Sequence, residues 1–527
     1  MFSRARPRTL VAATALTFLV GGCGVLTPGG GDDDRHISVG TTSAPSTLDP
    51  ANAWDGSWEL YKNVYQTLLH FPSGTTEPEP DAARTCGFED SKSKVYSCTL
   101  RPGLEFSNGH ELDADAVKHS IDRVRKIKAP VGPAPLLANL KKVEVTGKDK
   151  ITFRLDEPDS TFPFILATPA ASIVDPAEYP AGELRDDADG LVGSGPYVLE
   201  DYEPGERAEL RANPSYGGDA ELRNDSVTIR YYASSEKMMA ELKDDRIDLT
   251  FRGMTAGQIT EFHDNGGVVG GLKLTQVVGA EINYLVFNPG HDGVGEPAVR
   301  QAIAQLVDRD ELVHRVYDRT SEPLYSMVPS GIASHSTPYY DLYGKPDPRK
   351  ARQLLQDAGI ATPVPLTFWY TTDRYGAATA DQFKELKRQL DESGLFRITL
   401  EGRPWEEYQE GYKKGEYPVF GRGWFPDFPD ADNYIAPFVG AENAVGTPYE
   451  AKRITGDLLP RSRTEADRAR TLRYFIEAQK ILARDVRLLP LWQGRLYVAG
   501  SEDVGGIESS LDPSTIMLMS ELHKLDW

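Results

Sequence analysis

The chain has one long apolar run, and that run is too short to cross a membrane. Leu10 to Val20 gives eleven residues without a charge. As a helix they rise about 16 Å, roughly half of the ~30 Å hydrocarbon core. Arg4, Arg6 and Arg8 precede the run and the small residues Gly21 and Gly22 follow it, the arrangement of a secretory signal that is cut away. No later stretch approaches a spanning length. The remainder is therefore expected to fold in water outside the cytoplasm, where disulfides persist.

The junction Val20-Gly21-Gly22-Cys23 resembles the lipobox of bacterial lipoproteins, in which cleavage leaves the cysteine N-terminal with a diacyl group on its sulfur. That resemblance makes residues 1–22 the signal peptide and Cys23 the lipidation site, and more than one acyl chain is what stable anchoring requires. The alternative, an ordinary secretory signal with a free cysteine nearby, would leave a lone thiol in an oxidising compartment. Residues 23–36, with Pro28, Gly29 to Gly31 and Asp32 to Asp34, read as a flexible tether. Of the three cysteines, assigning Cys23 to the lipid leaves Cys86 and Cys98 on either side of a polar turn between two short strands. A disulfide across that hairpin is expected in an exported protein. A metal or redox pair would call for closer spacing or neighbouring histidines.

Removing 22 residues from 527 leaves 505, too many for one core and enough for two or three domains. The net charge of −21 becomes −24 once the three leader arginines are gone. Such a surface repels nucleic acid and anionic headgroups, so no polynucleotide partner is expected and attachment to the membrane falls to the lipid. No repeat of 20 to 50 residues is present.

Strand and helix patterns alternate. Val143 to Thr146, Ile151 to Leu155, Val227 to Tyr232, Leu366 to Tyr370 and Ile398 to Leu400 have β-branched or aromatic character. Asp113 can cap a helix with Ala114, Val117, Ile121 and Val124 on one face. Asp347-Pro348 opens another that Gly359 ends, and Glu296-Pro297 a third. Leu472, Phe475, Ile476, Gln479 and Leu482 form a late stripe. These stripes are read as core.

Seven segments in order carry a wider likeness. They are Thr47-Leu48-Asp49-Pro50 with Asn63 to Leu69; Leu100 to Gly109 leading into Leu112-Asp113-Ala114-Asp115-Ala116-Val117; Gly193-Ser194-Gly195-Pro196-Tyr197; Asn283 to Asn288; Val299 to Ala304; Asp347 to Gly359; and Gly423-Trp424-Phe425-Pro426-Asp427-Phe428-Pro429-Asp430. Together they resemble the peptide/nickel-binding family of ABC-transporter solute receptors, the dipeptide- and oligopeptide-binding lipoproteins. The resemblance implies an α/β, two-lobed periplasmic-binding-protein-like fold with a hinge, of the large class with an extra subdomain in the first lobe. Lobe I would take residues 37–282 plus 495–527, with the subdomain at about 70–190, and lobe II residues 283–494. Ligand would sit in the cleft between them.

In the resembling receptors the Asp three residues after the Trp of a GWxxD segment pairs with the α-ammonium of a peptide. Here that position is Asp427, with Trp424 before it. A cation enclosed between lobes needs such a partner, because an unpaired charge costs several kcal/mol. A turn role beside Pro426 and Pro429 is the alternative for Asp427, and plain packing the alternative for Trp424. Trp58, Asn283 and Tyr284 lie in segments that line the cleft in family members, and packing accounts for them equally well. Arg422 neighbours the motif but receives no assignment, so the cation for the ligand carboxylate stays open.

Asp427, Asp430 and Asp432 lack the central Gly and closing Glu of a calcium loop, and neither a metal nor a cofactor is expected. His110-Glu111 begins a zincin-like motif, but residue 114 is Ala. Gly193-Ser194-Gly195 lacks the Gly two residues before the serine that a nucleophile elbow needs. The chain therefore reads as a binding protein and not an enzyme. It is expected as a monomer holding a small peptide and handing it to ABC permease and ATPase subunits. An oligosaccharide, haem or nickel complex on the same fold is the alternative, and a secreted hydrolase the more distant one.

Overall fold

The structure, a computed structural model, describes residues 35–376 and 378–525. The leader and the lipidation position Cys23 lie outside the described residues. Among those described, no helix is long and apolar enough to cross a membrane.

Two long strands organise the molecule. Leu272–Phe287 and Leu488–Ser501 pair antiparallel in the middle of a twelve-stranded sheet. On one side Leu272–Phe287 pairs with Val419–Trp424, which neighbours the parallel strands Val364–Thr371 and Phe396–Arg403. On the other side Leu488–Ser501 pairs with Leu249–Thr250, followed by the parallel partner His36–Thr41 and then Ser226–Tyr231, Arg207–Ala212 and Tyr197–Glu203. Each half of the sheet is covered by its own helices and packs its own cores, giving two lobes of mixed α/β structure joined by two crossing strands.

The pairing of the crossing strands is interrupted where the lobes meet. Register runs from Leu272 opposite Ser501 to Val278 opposite Arg495 and resumes with Ile282 opposite Gln493. Gly279, Ala280 and Glu281 thus bulge against Gly494 alone. A Cβ on Gly279 would lie 2.5 Å from the Gly494 carbonyl oxygen, so the close approach of the two backbones requires glycine there.

A separate four-stranded antiparallel sheet, Ala83–Phe88, Val95–Leu100, Lys150–Leu155 and Leu140–Gly147, carries the helix Ala114–Ile127 and a core of its own. Buried positions alternate along Val95–Leu100, as the pleat of a half-covered strand demands. The helix starts because the Asp113 carboxylate accepts from the backbone N–H groups of Asp115 and Ala116. It buries Ala114, Val117, Ile121 and Val124 and stops at Lys128, whose φ of 49° is left-handed. In the same way Asp347 caps Pro348–Asp357, and Gly359 follows at φ +69°. Cys86 and Cys98 stand directly opposite one another and are joined, S–S 2.03 Å.

Candidate functional site

The strand Val419–Trp424 ends at the meeting of the lobes, with Trp424 opposite Ile282 and Gly423 opposite Asn283. The chain then turns through Phe425 to Asp432, and this turn carries three carboxylates with different fates. Asp430 receives both Nε and Nη2 of Arg468, at 2.8 and 2.6 Å. Asp432 receives Nε and Nη2 of Arg463, at 3.0 and 2.8 Å. Asp427, only 6% exposed, has no cation within ion-pair distance among the described residues. Its partner is an amide, Asn433, whose Nδ2 donates to Asp427 Oδ2 at 2.8 Å. Burial therefore pushes the Asp427 carboxyl up to about 7, opposed only by that hydrogen bond.

Asn433 is the residue that sequence reasoning missed. Its Oδ1 accepts from the Asp427 backbone N–H at 3.0 Å and from Trp424 Nε1 at 3.2 Å, so one amide fixes the tryptophan and the carboxylate in mutual register. The single local signal is a polar residue six positions after Asp427, which by itself names no role. Below this unit Trp424 packs edge-on to Phe438 at 5.0 Å, and Phe438 on Tyr284 at 5.3 Å.

The five residues singled out for the cleft fall into different settings. Trp424, Asp427 and the strand positions Asn283 and Tyr284 are brought together by the pairing of Leu272–Phe287 with Val419–Trp424. Asn283 is buried, and its Oδ1 accepts from Gln382 Nε2 at 3.0 Å. Tyr284 reaches no solvent, and its hydroxyl has no hydrogen-bond partner; in this structure it packs. Trp58 stands apart on the helix Ser57–Val64 in the other lobe, its indole N–H donating to the Ala53 carbonyl at 3.2 Å. Trp54, stacked on it at 6.0 Å, is the more exposed of the pair.

Two cations near the motif have no carboxylate partner among the described residues. Arg422 is buried, donates only Nη1 to the Ala444 carbonyl at 3.1 Å, and lies over the rings of Tyr412 at 4.5 Å and Trp405 at 5.8 Å. Arg374, exposed after Val364–Thr371, lies over Trp405 at 5.3 Å. The site thus holds an acid without a cation and two cations without an acid.

Contacts across the lobes adjoin the same turn. Arg468 Nη1 donates to Ser160 Oγ at 2.8 Å, Ser160 Oγ donates to the Ser462 carbonyl at 3.0 Å, and the Ser160 N–H to the Arg463 carbonyl at 2.9 Å. Phe428 joins the core of the four-stranded sheet, 6.0 Å from Phe164. Groups of His, Cys, Asp and Glu fit to hold a metal ion are absent among the described residues.

Comparison with known proteins places this geometry. The family model described as Bacterial extracellular solute-binding proteins, family 5 Middle, matches residues 77–446. The probable D,D-dipeptide-binding periplasmic protein DdpA of Escherichia coli (strain K12) is 24% identical over 489 residues, 89% of this chain and 90% of its own. The glutathione-binding protein GsiB of Salmonella paratyphi A is 26% identical over 486 residues, 90% and 91% of the two chains. Among solved structures, the ABC transporter-associated periplasmic binding protein DppA from Helicobacter pylori, in complex with peptide STSA, superposes with a TM-score of 0.75. It is 21% identical, with 93% of this chain and 98% of that one covered. With a family match over well more than half its length and relatives aligned along about nine tenths of it, the chain belongs to the bacterial extracellular solute-binding proteins of family 5.

Proposed function

We propose that the protein is the peptide-capturing receptor of an ABC importer, held to the extracytoplasmic face of the membrane by lipid on Cys23. Residues 1–22 are the signal and 23–36 the tether. Lobe I comprises 37–282 and 495–527, with its subdomain at about 70–190, and lobe II comprises 283–494. A monomer takes a free peptide into the cleft, closes over it and presents it to the permease and its ATPase.

One observation carries the reading. Of three carboxylates within six residues, two are neutralised by arginines and the one at the GWxxD position is left to an amide. An α-ammonium supplies the missing charge, and Arg374 and Arg422, which have no carboxylate partner among the described residues, are candidates for the opposite end of a zwitterion. Relatives named for a D,D-dipeptide and for glutathione, and a structural neighbour solved with a peptide, support the same class of ligand. Mass spectrometry of what co-purifies, followed by titration calorimetry with di- and tripeptides against cello- and chito-oligosaccharides, tests it. Heat of binding from the sugars alone would overturn it. Cys23→Ser should release the chain from the membrane, and unchanged retention would overturn the anchor.

A further inference from the structure

The bulge at the crossing of the lobes contains a carboxylate with nothing to do in the fold. Of the three residues opposite Gly494, two are tied through their backbone. Gln493 Nε2 donates to the Gly279 carbonyl at 2.8 Å, and the Tyr434 hydroxyl to the Ala280 carbonyl at 2.8 Å. Glu281 is not: no described residue donates a hydrogen bond to its carboxylate, and none places a cation within 4.0 Å of it. Arg252, the cation whose field reaches it, is already held by Glu59 at 3.0 Å and donates to the Thr515 carbonyl at 2.9 Å. Although Glu281 keeps partial exposure, desolvation by the surrounding protein raises its carboxyl to about 7, the same direction as at the more deeply buried Asp427.

The surroundings keep space beside this group. Gly494 presents no side chain, and a Cβ there would lie 3.5 Å from Glu281 Oε2 and 3.8 Å from the Trp492 ring. Trp492 and Tyr317 pack together at 4.8 Å. Their polar tips both donate to Gln382 Oε1, at 2.7 and 2.6 Å, so their rings form a wall with no unmet hydrogen bond of its own. A bulge is the device by which a sheet re-aims one side chain next to a site. This one is coupled to the turn that bears Asp427, because Ile282 pairs with Trp424 and Tyr434 follows Asn433 directly.

We propose that Glu281 forms a second cation subsite in the cleft, which receives the ammonium or guanidinium of a basic peptide side chain while the α-amino group occupies Asp427. This rests on the peptide reading and narrows it to ligands with two positive groups. Aromatic faces flanking a carboxylate suit such a group, through the charge and through the rings.

Titration calorimetry with Ala-Lys and Lys-Ala, each against its norleucine counterpart, tests it on the wild type and on the isosteric Glu281→Gln. In one order at least, the wild type should prefer lysine by about tenfold or more, as one charge-assisted contact allows. The variant should lose that preference while binding the norleucine peptide within about twofold of wild type, the scatter expected of an untouched contact. Equal wild-type affinities for lysine and norleucine peptides, or a preference that survives in the variant, would overturn the subsite. Equal weakening of both peptides by Glu281→Gln would also overturn it, since the residue would then act through the bulge. If the wild type binds none of the four peptides, the peptide reading itself fails.

Discussion

Asn433 grips Asp427 at both ends, accepting from its backbone N–H at 3.0 Å and donating to its carboxylate at 2.8 Å. The carboxylate is thus aimed without being neutralised. Asp427→Asn should weaken binding of a free-amine peptide by about 2 to 5 kcal/mol, because it leaves an ammonium enclosed without its counter-charge. Acetylating the peptide's amino group should cost the wild type a similar amount and the variant little. Calorimetry on both proteins with both peptides forms a double-mutant cycle. Simple addition of the two losses would mean that Asp427 is a turn residue and no more.

The raised carboxyl predicts a pH signature. Holding an ammonium requires Asp427 ionised, yet in the empty site burial keeps its proton up to about pH 7, with only the Asn433 hydrogen bond opposing; burial, and then the Asp427 charge, push the Tyr434 phenol up in turn. Below pH 7 binding must therefore expel a proton, and affinity should fall by up to about tenfold per unit as pH drops, while staying level above 7. For folding the sign is the reverse of a paired carboxylate: the penalty begins above the unfolded value near 4 and is complete above 7. Asp427→Asn should stabilise the empty protein at pH 8 by on the order of 2 to 4 kcal/mol and leave it unchanged below pH 4. Calorimetry in buffers of different ionisation heat, and denaturant melts at both pH values, read the two effects. Proton uptake on binding at pH 6 would sink the account.

What the sequence discloses here depends on how far apart the partners lie. Helix starts at Asp113 and Asp347 are legible because a cap and the N–H groups it serves sit within three residues, and the start at Pro297 because a proline fits the first helical position, with no side-chain cap bond from Glu296. The strand at Val95–Leu100 is legible from alternation alone. The two-lobed fold and the position of Asp427 come from a resemblance spread over seven segments, no one of which would suffice. The charges on Asp430 and Asp432 are matched by arginines 38 and 31 residues away, and no local pattern announces that Asp427 is passed over. Nor does the alternation of Leu272–Phe287 reveal the bulge, since it depends on Gly494 in another strand. Tyr284 shows the converse limit: its sequence neighbourhood points to the cleft, but the pleat turns its ring into the core.

The Cys86–Cys98 bridge ties the first two strands of the four-stranded sheet across a separation of 12 residues. Closing a loop of that length stabilises by roughly 2 to 4 kcal/mol. Cys98 also sits in the core, directly opposite the buried Ile151 of the neighbouring strand. Reductant should therefore lower the thermal midpoint by several degrees and increase amide exchange first within Ala83–Phe88 and Val95–Leu100. Peptide mapping under non-reducing conditions should recover the two cysteines joined, and two free thiols in fresh protein would contradict it.

Ser160 is one of the points at which one lobe holds the other. Its hydroxyl accepts from Arg468 and donates to the Ser462 carbonyl, and its N–H donates to the Arg463 carbonyl. Arg468 and Arg463 in turn fix Asp430 and Asp432, in the turn that also bears Asp427. Ser160→Ala removes the two hydroxyl contacts but spares the Arg468–Asp430 pair. It should speed peptide release by about five- to thirtyfold, the equivalent of 1 to 2 kcal/mol, with the association rate little changed. Arg468→Ala differs in kind, because Asp430 would be left buried and uncompensated, at a cost of about 3 to 5 kcal/mol in fold stability. Stopped-flow dissociation and thermal unfolding separate the two effects. If Ser160→Ala released peptide no faster than wild type, the contact would bear no load in the liganded state, and closure would have to be held by ligand and hinge alone.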